Sequence, residues 1–164
     1  MKEVQVDKFF SFLKNELNYS ELTIKSYQLD LTDFFRFLEK SKKNYLNINN
    51  EDVRDYLKYL DSCKLKNSTI SRRISTLRTF YNYLLDEGKV SSNIFKNVKN
   101  PKLEKKLPNY LNYNEMEELL NSIDTSTIEG LERRLLIEMF YSTGCRVSEI
   151  INIKIKDIDF TNNG

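Results

Sequence analysis

Near the C-terminal end of the sequence stands Ser142-Thr143-Gly144-Cys145-Arg146-Val147-Ser148-Glu149-Ile150. Arg146 comes two residues after Gly144 and three before Glu149. A glycine that ends one helix places Arg146 at the start of the next, not on a mobile loop. Glu149 then shares its face, one turn further on. A guanidinium held in this way can donate to an anionic oxygen. By spacing alone the pair reads first as a plain exposed Arg–Glu ion pair, worth about 0.2–0.5 kcal/mol.

A second group of chemically able side chains lies earlier. Thr23, Lys25, Ser26 and Gln28 form the polar side of one amphipathic stretch. Ser68, Thr69, Ser71, Arg72, Arg73, Thr76 and Arg78 form that of another. Hydroxyls and basic groups near a helix start suit phosphate, because backbone N–H groups and the helix dipole reinforce them. Arginine can also read guanine through two hydrogen bonds. Periodicity alone is equally consistent with the outer face of a plain bundle. Lys99, Lys102, Lys105 and Lys106 follow on a stretch that contains Pro101 and Pro108.

Charge supports a polyanion partner. The net charge is only +2, but residues 64–106 hold eleven basic and three acidic side chains. The flanking segments are neutral to acidic. A basic block inside a nearly neutral chain is the electrostatic footprint of such a partner.

Other chemistries are excluded by composition. There is no histidine, so histidine acid–base catalysis and histidine metal ligation are absent from this chain. Cys63 and Cys145 have neither disulfide nor metal spacing and read as free thiols in a reducing cytoplasm. No metal is expected. No apolar run approaches a membrane span, and MKEVQVDKFF is not a signal peptide, so the expected location is cytoplasmic, with no membrane partner.

The elements that must position these residues are helical. Val6, Phe9, Phe10, Leu13 and Leu17 recur at helical spacing. Ser20 can cap a second helix with Ile24, Tyr27, Leu31, Phe34, Phe35 and Leu38 inward. Asn50 can cap a third with Val53, Leu57 and Leu60 inward. Asn67 or Ser68 can cap a fourth with Ile70, Ile74, Leu77, Tyr81 and Leu84 inward, ended by Gly88. The expected fold is mainly α, with a four-helix bundle over residues 1–96 and a basic linker over 97–108. A second unit spans 109–164. It has helices over about 115–122 and 128–142, a short one over 146–152, and a half-buried strand over 153–160. Thr161-Asn162-Asn163-Gly164 is hairpin-turn chemistry, and a lone strand needs a partner. The expectation is therefore a mixed α/β domain truncated at a turn.

The sequence also resembles the tyrosine recombinases, the site-specific integrase family that includes the Xer proteins. Ser20-Glu21-Leu22-Thr23-Ile24-Lys25-Ser26-Tyr27-Gln28-Leu29-Asp30-Leu31 is similar to that family's opening segment. Asn67 to Tyr81 resembles its fourth helix, and Pro101-Lys102-Leu103 with Lys105-Lys106-Leu107-Pro108 its interdomain linker. Ser142 to Ile150 resembles the box around its first catalytic arginine. Cys145 departs from the usual aliphatic residue there.

The resemblance implies a SAM-like core-binding domain followed by the start of a catalytic domain, the two clamping duplex DNA. It implies strand exchange through a 3′-phosphotyrosyl intermediate, with no cofactor. Arg146 matches the first catalytic arginine, and Glu149 is its supporting carboxylate. Thr23, Lys25, Ser26, Ser68, Thr69, Arg72, Arg73, Lys99, Lys102, Lys105 and Lys106 are the expected DNA contacts. The family's remaining catalytic lysine, His-x-x-Arg and nucleophilic tyrosine lie downstream of the arginine box. The 164-residue chain is therefore expected to bind DNA without cleaving it, as a monomer, whereas the family assembles as a tetramer on DNA. Chromosome-dimer resolution and mobile-element integration share this chemistry, and the compact layout favours the Xer type. The alternative is a short, non-catalytic DNA-binding regulator of a recombinase.

Overall fold

The computed structural model describes residues 2–103 and 109–158. They fall into two compact units, 1–105 and 106–164.

The first unit is a helical bundle of α1 (Lys2–Asn15), α2 (Glu21–Lys40), α3 (Asn50–Ser62) and α4 (Asn67–Asp86). Local chemistry sets the ends. Ser20 caps α2, its Oγ accepting the Thr23 N–H at 3.3 Å. The third helix is capped by Asn49, one residue before the expected Asn50. Asn49 Oδ1 accepts the N–H groups of Glu51 and Asp52, and Asp52 Oδ2 accepts the Asn49 N–H at 2.9 Å. The fourth helix starts after Lys66, whose ammonium has no acceptor to cap it, and Asn67 in its first turn donates its amide to the Lys102 carbonyl at 3.0 Å. Leu17, expected inward, lies past the end of α1 and is exposed.

The apolar faces meet in one aromatic-rich core. Phe9, Leu13, Leu31, Phe34, Tyr56, Leu60, Leu77, Phe80, Leu84 and Phe95 are essentially excluded from water. Rings meet edge to face, Phe9 on Phe80 and Phe34 on Tyr56, each with centroids 5.0 Å apart. Phe95 lies beyond the four helices. Arg78 holds its segment down by donating to the carbonyls of Phe95 and Val98 at 3.3 and 2.9 Å. The basic segment past α4 is thus tied to that helix at several points over its described part.

The second unit contains α5 (Tyr113–Asn121), α6 (Ile128–Thr143) and α7 (Val147–Ile151), then a short 3-10 helix (Ile155–Asp157). Asn112 and Glu115 cap α5 reciprocally, and Thr127 caps α6 through the Gly130 N–H. Gly130 is required by close approach, since a Cβ there would stand 1.7 Å from the Asp124 carbonyl oxygen. Few side chains are buried here. Ile150 is, whereas Leu131, Leu135, Ile151 and Ile155 face outward.

The strand expected over 153–160 is not formed over its described residues, 153–158. Lys154 N–H donates to Asp157 Oδ2 at 3.0 Å and Asp157 N–H to the Lys154 carbonyl at 2.8 Å, which closes the 3-10 turn. Asp157 is the residue that breaks the alternation, and its carboxylate competes with a ladder for the backbone. Among the described residues there is no strand to pair with. The expected hairpin turn over 161–164 lies outside the described residues.

Two outcomes follow. Phe80→Ala should destabilise the first unit by about 3–5 kcal/mol in denaturant titrations. The Asn49 backbone N–H, followed by Lys43, holds the Asp52 carboxyl below the usual aspartate range. Its folded-state pKa is depressed, so its stabilisation is present above the unfolded value and is lost as pH falls through the folded one. Asp52→Asn should therefore lower the thermal midpoint at neutral pH, and the gap from the parent should close in strong acid. A gap independent of pH would refute the assignment.

Candidate nucleic-acid interface and the Arg146 turn

Of the residues singled out on α2 and α4, Arg72, Arg73 and Thr76 come together on the buried Asp30 and the part-buried Asp33. Asp30 of α2 is fully buried and accepts the Thr76 hydroxyl at 2.8 Å. It also pairs with the Arg72 guanidinium, whose Nη1 reaches the Ser26 carbonyl at 3.2 Å. Arg73 donates to Asp33 Oδ2 at 2.5 Å, and its Nε lies 3.8 Å from Asp30 Oδ1. Tyr59 adds its hydroxyl to Asp33 Oδ1 at 3.3 Å. Two arginines thus meet two aspartates, and much of their charge is offset within the bundle.

Burial pushes the Asp30 carboxyl above the ordinary aspartate range, against the opposite pull of Thr76 and Arg72. Thr76, read from spacing as an outward residue, is buried and belongs to this network. Asp33, Thr76 and Tyr59 went unrecognised as its members. The readable signal was Asp30 and Asp33 at i,i+3 on one helix, with Arg72 and Thr76 at i,i+4 on another.

The remaining candidates lie near the surface. Lys25 and Ser68 are exposed, and Thr23 and Thr69 are half-buried. The Thr23 and Ser20 hydroxyl oxygens stand 2.9 Å apart, and the Ser26 hydroxyl donates to the Leu22 carbonyl at 2.9 Å. Lys99 and Lys102 are exposed on the segment tied to α4. Lys105 and Lys106 lie outside the described residues.

In the second unit Gly144 ends α6 in the left-handed region, φ 62°, and donates its N–H to the Phe140 carbonyl at 3.0 Å. Only glycine adopts that conformation without strain. Arg146 then becomes the N-cap of α7 in extended geometry. Glu149 returns its carboxylate across the turn. Oε2 accepts the Arg146 backbone N–H at 2.7 Å and Oε1 accepts Nη1 at 2.9 Å. One carboxylate therefore holds both the backbone and the guanidinium of Arg146, whose side chain is 83% exposed. This can present a fixed, solvent-facing cation to an anionic oxygen. Among the described residues no cluster of His, Cys, Asp or Glu is suited to hold a metal.

Glu149→Ala removes both acceptors. The Arg146–Ile150 amides should then exchange hydrogen about fivefold faster, in line with the ~1 kcal/mol that a lost cap costs. Unchanged exchange would mean that the carboxylate does not order the turn.

Comparison with known proteins gives two family matches along the chain. Residues 6–88 match the family described as phage integrase, N-terminal SAM-like domain, and residues 109–164 match the phage integrase family. Tyrosine recombinase XerC of Staphylococcus aureus (strain USA300 / TCH1516) is 44% identical over 164 residues, 100% of this chain and 55% of that protein. The protein of the same name from Staphylococcus haemolyticus (strain JCSC1435) is 44% identical over 161 residues, 98% of this chain and 54% of its own length. The chain thus spans about half the length of these curated relatives. Among the described residues no helix is long and apolar enough to cross a membrane.

Proposed function

This chain belongs to the phage integrase family of tyrosine recombinases, Xer-like in its similarity, and on that premise we propose that it binds duplex DNA within a site-specific recombinase. The observation that carries the reading is the Arg146 turn, a guanidinium fixed at a helix start by Gly144 behind it and Glu149 across it. In the proposed reaction a tyrosine attacks the scissile phosphodiester, forms a 3′-phosphotyrosyl bond and releases a 5′-hydroxyl. The partner strand's hydroxyl then reverses the step. Charge builds on the non-bridging phosphate oxygens, and Arg146 donates to them without having to reorganise. Glu149 keeps the guanidinium aimed.

The nucleophile is assigned to none of the tyrosines of the first unit. The seven in the first unit belong to or pack against its core. Burial pushes the Tyr56 and Tyr81 hydroxyls far up, away from the phenolate that attack requires. Alone, the chain acts as a DNA-binding monomer, and further subunits join it on DNA. Thr23, Lys25, Ser26, Ser68, Thr69, Lys99 and Lys102, together with Lys105 and Lys106, supply the backbone contacts in this reading.

Two experiments test it. Affinity for duplex DNA should fall steeply between about 50 and 200 mM salt, and Lys99→Gln with Lys102→Gln should lower the log–log salt slope by about two, roughly 0.9 per phosphate contact. Absent or salt-independent binding would refute the reading. For the catalytic role, residues 1–164 would be joined to the remaining sequence of the Staphylococcus aureus relative. Arg146→Ala should then reduce covalent protein–DNA complex by about 100-fold or more. Cleavage that survives the substitution would remove Arg146 from the chemistry.

A further inference from the structure

The two neighbouring arginines of α4 carry different burdens. Arg73 is 17% exposed, wedged between the carboxylates of Asp33 and Asp30. Arg72 is 41% exposed and engages the buried seam only through Nη1, toward Asp30 and the Ser26 carbonyl. A guanidinium is a rigid plane of five donors. Tying one nitrogen down therefore fixes the direction of the rest. Asp30 is 2% exposed. A carboxylate that deep is expensive, and an apolar residue of similar size often serves stability as well or better. Its place at the base of a half-exposed arginine points to a use at the surface.

We propose that Asp30 is a positioning residue for DNA binding: its buried carboxylate fixes the direction of the Arg72 guanidinium so that Arg72 meets a backbone phosphate, while Arg73 serves the scaffold and does not touch DNA. This rests on the DNA-binding reading above. Phosphate is favoured over a base edge. With Nη1 committed to Asp30, the end-on reading of guanine through Nη1 and Nη2 is closed, whereas a phosphate can be met by any remaining donor. A donor already held in place binds without ordering a long side chain.

The test is equilibrium binding of the 164-residue chain to duplexes of two unrelated sequences across a salt series, with a thermal midpoint for each variant. Arg72→Gln should lower the salt slope by about one on both duplexes. Arg73→Gln should lower the thermal midpoint and leave the slope unchanged. Asp30→Asn should reproduce the slope loss of Arg72→Gln, and the double variant should lose no more than Arg72→Gln alone. Arg72→Lys keeps the charge but not the plane, and it should bind about fivefold more weakly than the parent. It decides the matter if Asp30→Asn does not fold. Parent-like binding by Arg72→Lys would overturn the proposal, because charge alone would then suffice. So would an Arg73→Gln slope loss equal to that of Arg72→Gln, or a further loss in the double variant. If the parent shows no salt-dependent binding, the DNA reading falls as well. If the parent binds and any of these outcomes appears, only the Asp30 assignment falls.

Discussion

Asp30 brings a carboxylate into the seam between α2 and α4, where water does not reach it, and a charge so placed has to be matched by neighbouring donors. Thr76 and Arg72 supply them from the opposing helix, and Arg73 adds its charge while closing on Asp33. Each of these bonds joins α2 to α4. The register of the two helices is thereby specified more tightly than apolar contact alone would specify it. The aromatic layer beside the seam, with Phe34 on Tyr56 and Phe80 against Phe9 and Phe35, packs in the geometry that this register allows.

The two units are built by different means. In the first, side chains from four helices and from Phe95 close a core, so burial dominates its energetics. In the second, the described helices bury little, and order at their ends is local. Asn112 with Glu115, Thr127 with Gly130, Arg146 with Glu149 and Lys154 with Asp157 each satisfy backbone donors within a few residues. The same local economy forms the Arg146 turn. Gly144 reverses the chain, and one carboxylate orders both the backbone and the side chain of the arginine. A cation so placed is exposed and yet directed.

Charge counted along the chain overstates what the surface offers. Residues 64–106 are strongly basic in sequence, but Arg72, Arg73 and Arg78 spend donors inside their own unit, on Asp30, Asp33 and backbone carbonyls. Lys99 and Lys102 keep their side chains exposed. The basic block is thus partly scaffold and partly surface, and the division does not follow residue type.

Much of what depends on near neighbours was legible in the sequence. Helical periodicity located α1 to α4 and α6, and glycine chemistry marked the stops at Gly88 and Gly144. The spacing of Arg146 and Glu149 announced their contact, because i,i+3 geometry is a property of the helix itself. Local competition was harder to read. Asn49 displaced Asn50 as a cap, and Asp157 turned an alternating stretch into a 3-10 turn, since a carboxylate reaching back to a backbone N–H outweighs a pattern that has no strand to pair with. What only the tertiary structure decided is which polar residues face each other across helices. Thr76 looks outward on a helical wheel, and Arg72 and Arg73 look alike there. The crossing of α2 over α4 buries Asp30 and thereby draws Thr76 inward, encloses Arg73 and leaves Arg72 half in solvent. That distinction arises from contacts about forty residues apart in the chain, beyond the reach of any local period.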